Sequence, residues 1–276
     1  MRLFQVDAFT DRAFSGNAAA VVISGQGEKL PSADWMQRFA AEMNLSETAY
    51  LTAKPSHHEG IREYGLRWFT PEVEVDLCGH ATLASAHVLL RHGFVEDGME
   101  LRFHTRSGVL RASAIGDLID MDFPTDEMEP AELPVAAAEG LDLGAHGSVL
   151  YVGESGKNYY IQVDSATAVT DCKPDFARLR EVEGRCFVVT AASDDDTFDF
   201  VSRFFATGVG IEEDPVTGSI HCALGKFWGE KLDKKNLRAF QASNRGGVLE
   251  LNWRGDRMGL QGSAVTVLEG SISIDH

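Results

Sequence analysis

The order of apolar and polar residues predicts two strands followed by a helix at the start of the chain. Residues 4–8 alternate in polarity, and residues 18–23 form a short apolar run after the turn-like residues 15–17. Alternation with a period of two is typical of half-buried strands, and a short apolar run after a turn is typical of buried ones, so both segments are predicted to be strands. An apolar stripe at helical spacing then lies between Ser32, a predicted N-cap, and Asn44.

Similar segments continue to the end of the chain. Helices are predicted at 81–92 and 174–182 and from about residue 218, and the acidic, proline-containing stretch 124–134 is a predicted linker. Further strands are predicted at 48–52, 61–69, 99–105, 109–115, 118–123, 148–152, 159–163, 186–190, 198–205, 237–241, 248–253, 258–261 and 264–274.

The two halves of the chain therefore have the same predicted organisation. Each half is expected to be a curved sheet around one mostly apolar helix, which is an α+β arrangement. The N-terminal lobe is placed at residues 1–124 and the C-terminal lobe at residues 125–276, and the last strand, 264–274, can return to the first lobe. A cleft between two such lobes is the expected ligand site.

Composition and charge limit the class of partner. The 276 residues are 44% hydrophobic and 24% charged, which is typical of a globular protein with enough apolar material for a core. The formal net charge of -17 would repel a phosphate backbone, so no nucleic-acid partner is expected. The first residues predict a strand instead of a signal peptide, and no apolar run approaches the roughly 20 residues of a membrane span. A cytoplasmic protein without a membrane partner is expected.

The cysteine and glycine patterns indicate no metal and no cofactor. The four cysteines are irregularly spaced and lack a CxxC pair, so neither a disulfide framework nor a zinc site is predicted. The chain has no P-loop, and no Gly-x-Gly-x-x-Gly follows a predicted strand, so nothing indicates a nucleotide cofactor.

Two segments, one in each half, resemble each other and precede predicted helices. They are Asp76-Leu77-Cys78-Gly79-His80-Ala81-Thr82 and Glu213-Asp214-Pro215-Val216-Thr217-Gly218-Ser219. A helix start offers unpaired backbone N–H groups and the positive end of a dipole, so two such starts could hold a carboxylate. The predicted partner is a small carboxylate-bearing molecule.

Five motifs, in the same order and spread over nearly the whole chain, resemble the phenazine-biosynthesis PhzF family. They are Phe14-Ser15-Gly16-Asn17, Leu45-Ser46-Glu47-Thr48-Ala49, Phe69-Thr70-Pro71 and the two segments quoted above. The resemblance implies a diaminopimelate-epimerase-like fold of two pseudo-symmetric lobes, each a β-roll around a central helix. It also implies cofactor-independent isomerisation by proton transfer in a homodimer.

The resemblance assigns roles to seven residues. Glu47 matches the family's catalytic glutamate, a group that can take a proton and return it elsewhere. His80 and Asp214 match the next two catalytic positions, whereas Ser46, Gly79, Gly218 and Ser219 match positions that bind the substrate. Without the motifs, each has a structural interpretation: a surface carboxylate, a helix cap or a tight turn.

Cysteine placement separates this chain from related epimerases and proline racemases, which use one cysteine from each lobe. Cys78 lies in the first motif, but Asp214-Pro215 occupies the corresponding stretch of the second, and Cys222 falls four residues past Gly218. A two-thiol racemase is therefore disfavoured. The predicted function is a double-bond or hydrogen shift on a small carboxylate. An amino-acid epimerase that uses carboxylates and a non-catalytic small-molecule binding protein are the alternatives.

Overall fold

The computed structural model describes residues 1–25, 28–143 and 147–273, and strands dominate them. The predicted end of the last strand, Ile274, lies outside these residues. The strands are β1 (Arg2–Ala8), β2 (Asn17–Ile23), β3 (Glu47–Lys54), β4 (Ile61–Phe69), β5 (Glu74–Val75), β6 (Glu100–Thr105), β7 (Gly108–Ile115), β8 (Leu118–Pro124), β9 (Glu129–Pro130), β10 (Val149–Ser155), β11 (Asn158–Val163), β12 (Cys186–Ala192), β13 (Phe200–Phe205), β14 (Asn236–Gln241), β15 (Gly247–Trp253), β16 (Arg257–Gly262) and β17 (Ala264–Ser271).

Helices occupy a smaller part of the chain, so the fold class is α+β, as predicted. They are α1 (Ala33–Met43), α2 (Gly79–Arg91), α3 (Val135–Leu141), α4 (Ala166–Asp171), α5 (Phe176–Arg180) and α6 (Gly218–Leu232), with a 3-10 turn at Thr207–Val209. Among the described residues, none of the helices combines the length and the apolar character that a membrane span requires.

The chain divides into two units. The first contains Met1–Phe123 together with Gly259–His276, and the second contains Pro124–Met258. The antiparallel pairing of β17 with β1 places this C-terminal strand in the first unit.

The first unit is a mixed sheet that curves around α2. Its antiparallel pairs are β17–β1, β1–β2, β3–β4, β6–β7 and β7–β8, and its parallel pairs are β2–β3 and β4–β6. Strands from both sides of this series, including β17, β1, β2, β3 and β7, pack against α2. Ala and Leu make up six of its 13 residues, and the helix is buried on nearly all sides, as expected for a helix enclosed by a sheet.

The second unit repeats the same alternation of strand directions. β10–β11, β12–β13 and β14–β15 are antiparallel, whereas β11–β12 and β13–β14 are parallel. Its long helix, α6, packs against β14 and β15. The Trp228 ring of α6 stacks on Phe200 at 5.7 Å between centroids, and its Nε1 donates to the Thr190 hydroxyl at 3.0 Å. The repeated order gives the two units the predicted pseudo-symmetry.

Several predicted boundaries were wrong. The helix predicted at 81–92 begins two residues earlier, at Gly79, so His80 is its second residue. The helix predicted at 174–182 is only Phe176–Arg180, because the Asp175 carboxylate caps the N–H groups of Ala177 and Arg178 and starts it late. The predicted linker 124–134 contains β9, which pairs with β10.

The prediction for the first helix was confirmed at both ends. The Ser32 hydroxyl accepts from the Trp35 N–H at 3.2 Å, which makes it the N-cap. Asn44 adopts a left-handed conformation with φ 49°, a common way to end a helix.

Candidate active site

Strand pairing and a helix start bring Glu47 and His80 together in the first unit. Glu47 is the first residue of β3, where it lies opposite Ala19 of the parallel strand β2, and His80 is the second residue of α2. The Nε2 atom of His80 lies 3.1 Å from Oε2 of Glu47, and the two side chains are only 6% and 14% exposed. An acid and an imidazole are thus in contact in a largely enclosed place, as general acid–base chemistry requires.

A chain of hydrogen bonds leads from Ser46 to His80. The Ser46 hydroxyl donates to Oδ1 of Asn17 at 3.1 Å, and the Asn17 amide Nδ2 lies 3.2 Å from Nδ1 of His80. Asn17 is fully buried. The predicted binding residue Ser46 therefore also holds the side chain that orients His80.

The turn before Asn17 requires a glycine. Gly16 has φ +65°, and a Cβ there would lie 2.1 Å from the carbonyl oxygen of Ala8, so any other residue would force the backbone to move. The preceding Phe14 N–H donates to the buried Asp7 carboxylate at 2.6 Å, which fixes the other side of the turn. The motif at 14–17 therefore places Asn17 beside His80.

The charges around His80 favour its protonated form. Burial alone would lower the pKa of His80, but the neighbouring Cys78 and Glu47 outweigh burial and hold the pKa well above its usual value. Burial raises the pKa of the Cys78 thiol to about 11, and the Glu47 charge acts in the same direction. Cys78 is thus a neutral thiol near pH 7, so it acts on His80 as a hydrogen-bonding neighbour, and the negative charge beside His80 comes from Glu47.

Two buried atoms of this pair face each other. Oε2 of Glu47 and Nε2 of His80 are buried and lie 3.1 Å apart, and neither has another hydrogen-bond partner in the described part of the chain. Buried polar atoms are rarely left unpaired, so these two are candidates to contact a ligand. The side chain of the N-cap residue, Cys78, makes no capping hydrogen bond to the first turn of α2. The helix start beside Gly79 therefore keeps the character of an anion site.

Glu47, Cys78 and His80 also lie close enough together to be considered as ligands of a metal ion. One potential ligand atom from each residue lies within 4.8 Å of the others. A metal would have to displace the protons that the raised pKa values keep on the Cys78 thiol and the His80 imidazole near neutral pH. The donor set therefore suits proton transfer better than metal binding.

The second unit holds Asp214 in a half-buried polar loop. The Asp214 carboxylate accepts a hydrogen bond from the Thr217 hydroxyl. Gln241, which is fully buried, accepts from the Thr217 N–H at 2.8 Å and donates to the Asp214 carbonyl at 2.8 Å. The backbone on both sides of Pro215 is thus tied to β14.

The helix start of this unit resembles that of the first. Gly218 and Ser219 are the first two residues of α6, and the N-cap residue Thr217 makes no side-chain capping bond to it. Ser219 is exposed, whereas Gly218 is buried. The second segment therefore also ends at a helix start without a side-chain cap from its N-cap residue.

The structure gathers the predicted residues into one group per unit. Ser46, Glu47, Gly79 and His80 belong to the first unit, and Asp214, Gly218 and Ser219 to the second. Sequence reasoning did not identify the roles of Asn17 and Gln241. Asn17 was within a quoted motif, which is a usable signal, but Gln241 acts on a loop 24 residues or more before it and carries no local signal.

Comparison with known proteins gives a consistent result. The phenazine biosynthesis-like protein family matches residues 6–270. The chain is 44% identical to an uncharacterised isomerase of Halalkalibacterium halodurans, over 98% of this chain and 97% of that protein. A PhzF family crystal structure from Enterococcus faecalis superposes with a TM-score of 0.89 at 34% identity, covering 99% of each chain. A predicted epimerase from Pseudomonas aeruginosa, with a TM-score of 0.70, 20% identity and 99% coverage of both chains, shares the fold.

Proposed function

This chain belongs to the phenazine biosynthesis-like (PhzC-PhzF) family and is an isomerase, and we propose that it moves a proton on a small carboxylate-bearing substrate. The buried contact between Glu47 and His80 carries this proposal. The buried Nε2 of the imidazole and Oε2 of the carboxylate lie 3.1 Å apart, and neither has another hydrogen-bond partner among the described residues, so the pair is suited to accept and return a proton.

In the proposed reaction Glu47 acts as the base. Its carboxylate takes a proton from an acidic C–H bond, and the electron pair of that bond moves into the conjugated system of the substrate. The proton then returns to a different carbon, so a double bond shifts and no net oxidation occurs. His80 supplies a donor beside the developing charge, and Asp214 is the proposed third catalytic group.

Backbone N–H groups are proposed to bind the substrate carboxylate. The first turns of α2 and α6 begin at Gly79 and Gly218, and neither receives a capping bond from the side chain of its own N-cap residue. The chain is strongly acidic overall, so an anionic substrate needs such local donors. Ser46 and Ser219 are the proposed hydroxyl donors. The predicted cleft, the homodimer and the cytoplasmic location stay predictions.

A thiol-based racemisation is less well supported. Cys78 and Cys222 are buried, and burial raises their pKa values to about 11 and about 12. Neither thiol forms an appreciable amount of thiolate near neutral pH, although a thiolate is the nucleophilic and basic form.

The test begins with a ligand and ends with isotope exchange. Small carboxylic acids are screened for an increase in the melting temperature, because a ligand that binds only the folded state stabilises it. Each hit is incubated with the enzyme in D2O, and deuterium in the recovered ligand and product is measured by mass spectrometry. Glu47→Gln is expected to reduce exchange and turnover at least about 100-fold, with thermal stabilisation by the ligand retained.

Glu42→Gln is the matched control, since Glu42 lies on the exposed side of α1. It is expected to behave like the wild type. Wild-type exchange that persists in Glu47→Gln would remove Glu47 from the mechanism. A ligand that binds tightly without any exchange, whether Glu47, His80 and Asp214 are present or replaced, would favour the non-catalytic binding protein.

A further inference from the structure

Each unit contains an arginine that holds a glutamate with two parallel hydrogen bonds. In the first unit, Arg67 of β4 donates to the Glu74 carboxylate at 2.7 and 2.8 Å. In the second unit, Arg203 of β13 donates to the Glu213 carboxylate at 2.7 and 2.9 Å. We call each such arrangement an arginine clamp. Bidentate pairs of this kind are stronger and geometrically more specific than single contacts.

The two clamps share a second contact. The Arg67 guanidinium lies over the ring of Phe69 at 5.2 Å, and that of Arg203 lies over the ring of Phe205 at 4.9 Å. In both cases the aromatic residue is two positions further along the same strand. Stacking on the ring fixes the plane of the guanidinium. The ion pair therefore has less conformational freedom of the arginine side chain left to restrict.

Both clamped glutamates stand at the same distance from a helix start. Glu74 precedes Gly79, the first residue of α2, by five positions, and Glu213 precedes Gly218, the first residue of α6, by five positions. The arginine-to-glutamate spacing differs, because the second unit inserts the 3-10 turn Thr207–Val209 between them. The spacing from glutamate to helix is thus common to both units although the preceding loops are not.

The clamps are also shielded from water. Arg67 and Glu74 are 32% and 12% exposed, and Arg203 and Glu213 are 13% and 20% exposed. An ordinary surface pair, Arg178 with Glu181, leaves half of each side chain exposed. An exposed ion pair restricts the position of the backbone only weakly. A shielded bidentate pair with fixed geometry can hold a loop in one position.

The second clamp has additional anchors. The Nη1 atom of Arg203 donates to the carbonyl oxygen of Cys172 at 2.6 Å, directly after α4. Glu213 is the residue immediately before Asp214, whose N–H donates to the Phe204 carbonyl at 3.0 Å. The clamp therefore connects β13 and the end of α4 to the backbone of a proposed catalytic residue.

We infer that Arg67 and Arg203 are positioning residues, which place the start of α2 with His80 and the loop of Asp214 by clamping the glutamate five residues before each helix. The effect on turnover rests on the proposed function, whereas the effect on the loop does not. Misplacement by about 1 Å costs on the order of 100-fold in rate, so a loosened clamp lowers kcat more than it raises KM.

The test separates the fork from the charge. Arg203→Lys keeps the positive charge but loses the two parallel donors. Arg203→Gln loses the charge as well as the two donors. Amide hydrogen exchange is measured at Asp214 and Thr217, whose N–H groups are bonded to Phe204 and Gln241 in the wild type. Exchange there is expected to rise at least about tenfold in both variants, and kcat on a ligand that turns over is expected to fall about 10- to 100-fold.

Arg178→Lys is the control and is expected to leave both measurements unchanged. Because the fork needs both partners, Arg203→Gln combined with Glu213→Gln is expected to cost no more than Arg203→Gln alone, since that change already removes the fork and the other contacts of Arg203. Unchanged exchange at Asp214 and Thr217 in folded Arg203→Lys, or additive effects in the double variant, would overturn the inference. Loop exchange is read without a substrate, so a failure of the proposed function leaves this result intact.

Discussion

The Asn17 amide nitrogen faces Nδ1 of His80 at 3.2 Å, and this contact couples the orientation of the amide to the protonation state of the imidazole. In neutral His80 the amide NH2 group donates to Nδ1, and the hydrogen of the ring lies on Nε2, towards Glu47. The protonated form, which the raised pKa of His80 favours, also carries a hydrogen on Nδ1, so in that form the amide must turn its oxygen towards the ring. Ser46 can follow such a turn, because a hydroxyl both donates and accepts.

The substitution Asn17→Asp is expected to reverse this contact. A carboxylate beside Nδ1 accepts from the ring and adds negative charge, so the pKa of His80 should rise further and the Nδ1–H form should be fixed. Nitrogen-15 NMR of the imidazole ring over a pH series measures both effects directly. Turnover is expected to fall at least about tenfold, since His80 can no longer release its second proton easily.

Asn236→Asp is the control for the added charge, because Asn236 is exposed at the start of β14. It should leave the His80 signals where they are. His80 signals in Asn17→Asp that match the wild type at every pH would show that Asn17 does not govern the imidazole.

The thiol of Cys78 is expected to be inert in the folded protein. It is buried, and its pKa of about 11 leaves little thiolate near neutral pH, although it lies 3.5 Å from Nδ1 of His80. A thiol reagent at pH 7 should therefore modify Cys78 slowly in the native state and rapidly after unfolding in urea. Peptide mass spectrometry of timed samples measures the rate at each cysteine.

The variant Cys78→Ala extends this prediction to function. It should keep turnover within about tenfold of the wild type, because a neutral buried thiol contributes packing more than acid–base chemistry. Rapid labelling of native Cys78, together with complete loss of isotope exchange in Cys78→Ala, would instead indicate a catalytic thiol.

Local patterns predicted much of the fold. The alternation in β1 and the capping residues Ser32 and Asn44 are short-range features, and the structure has them where they were predicted. The start of α2 was predicted two residues late, because Gly79 and His80 disfavour a helix by propensity although the enclosed helix includes them. Tertiary packing decided that boundary.

The candidate site was only partly predictable for the same reason. Motifs indicated Glu47 and His80, but the distance between their side chains depends on the pairing of β2 with β3 and on the packing of α2 inside the sheet. The arginine clamps had a weak signal, an arginine two residues before a phenylalanine at the end of each strand. Their glutamate partners lie 7 and 10 residues away across turns whose shape the sequence does not specify.

Acid stability is expected to depend on His221, a buried imidazole of α6. Burial lowers its pKa from 6.5 to about 4, although the hydrogen bond to the Thr217 carbonyl at 2.7 Å acts in the opposite direction. The ring also stacks on Phe200 and lies 3.4 Å from the Ser202 hydroxyl. In the described chain, no carboxylate contacts the His221 ring. Protonation therefore buries a positive charge that has no negative partner.

The direction of the pH effect follows from proton binding. Between about pH 6.5 and pH 4 the unfolded chain carries a proton on this histidine and the folded protein does not. His221 therefore makes its whole contribution to the free energy of unfolding at pH values above the unfolded pKa. This contribution decreases as the pH falls, by about 3 kcal/mol at most. His87, whose pKa is also lowered to about 4 by burial, with His92 and Arg91 contributing, acts in the same direction.

His221→Gln should reduce this dependence, because glutamine can donate to the Thr217 carbonyl but does not titrate. Urea unfolding at a series of pH values between 4 and 7 measures the slope. The variant is expected to be less stable than the wild type at pH 7, where it loses the stacking on Phe200, and to lose less stability on acidification.

The same substitution at the exposed His57 is the control, and its slope of stability against pH should equal that of the wild type. An equal slope in His221→Gln and the wild type would show that the buried imidazole does not control acid stability.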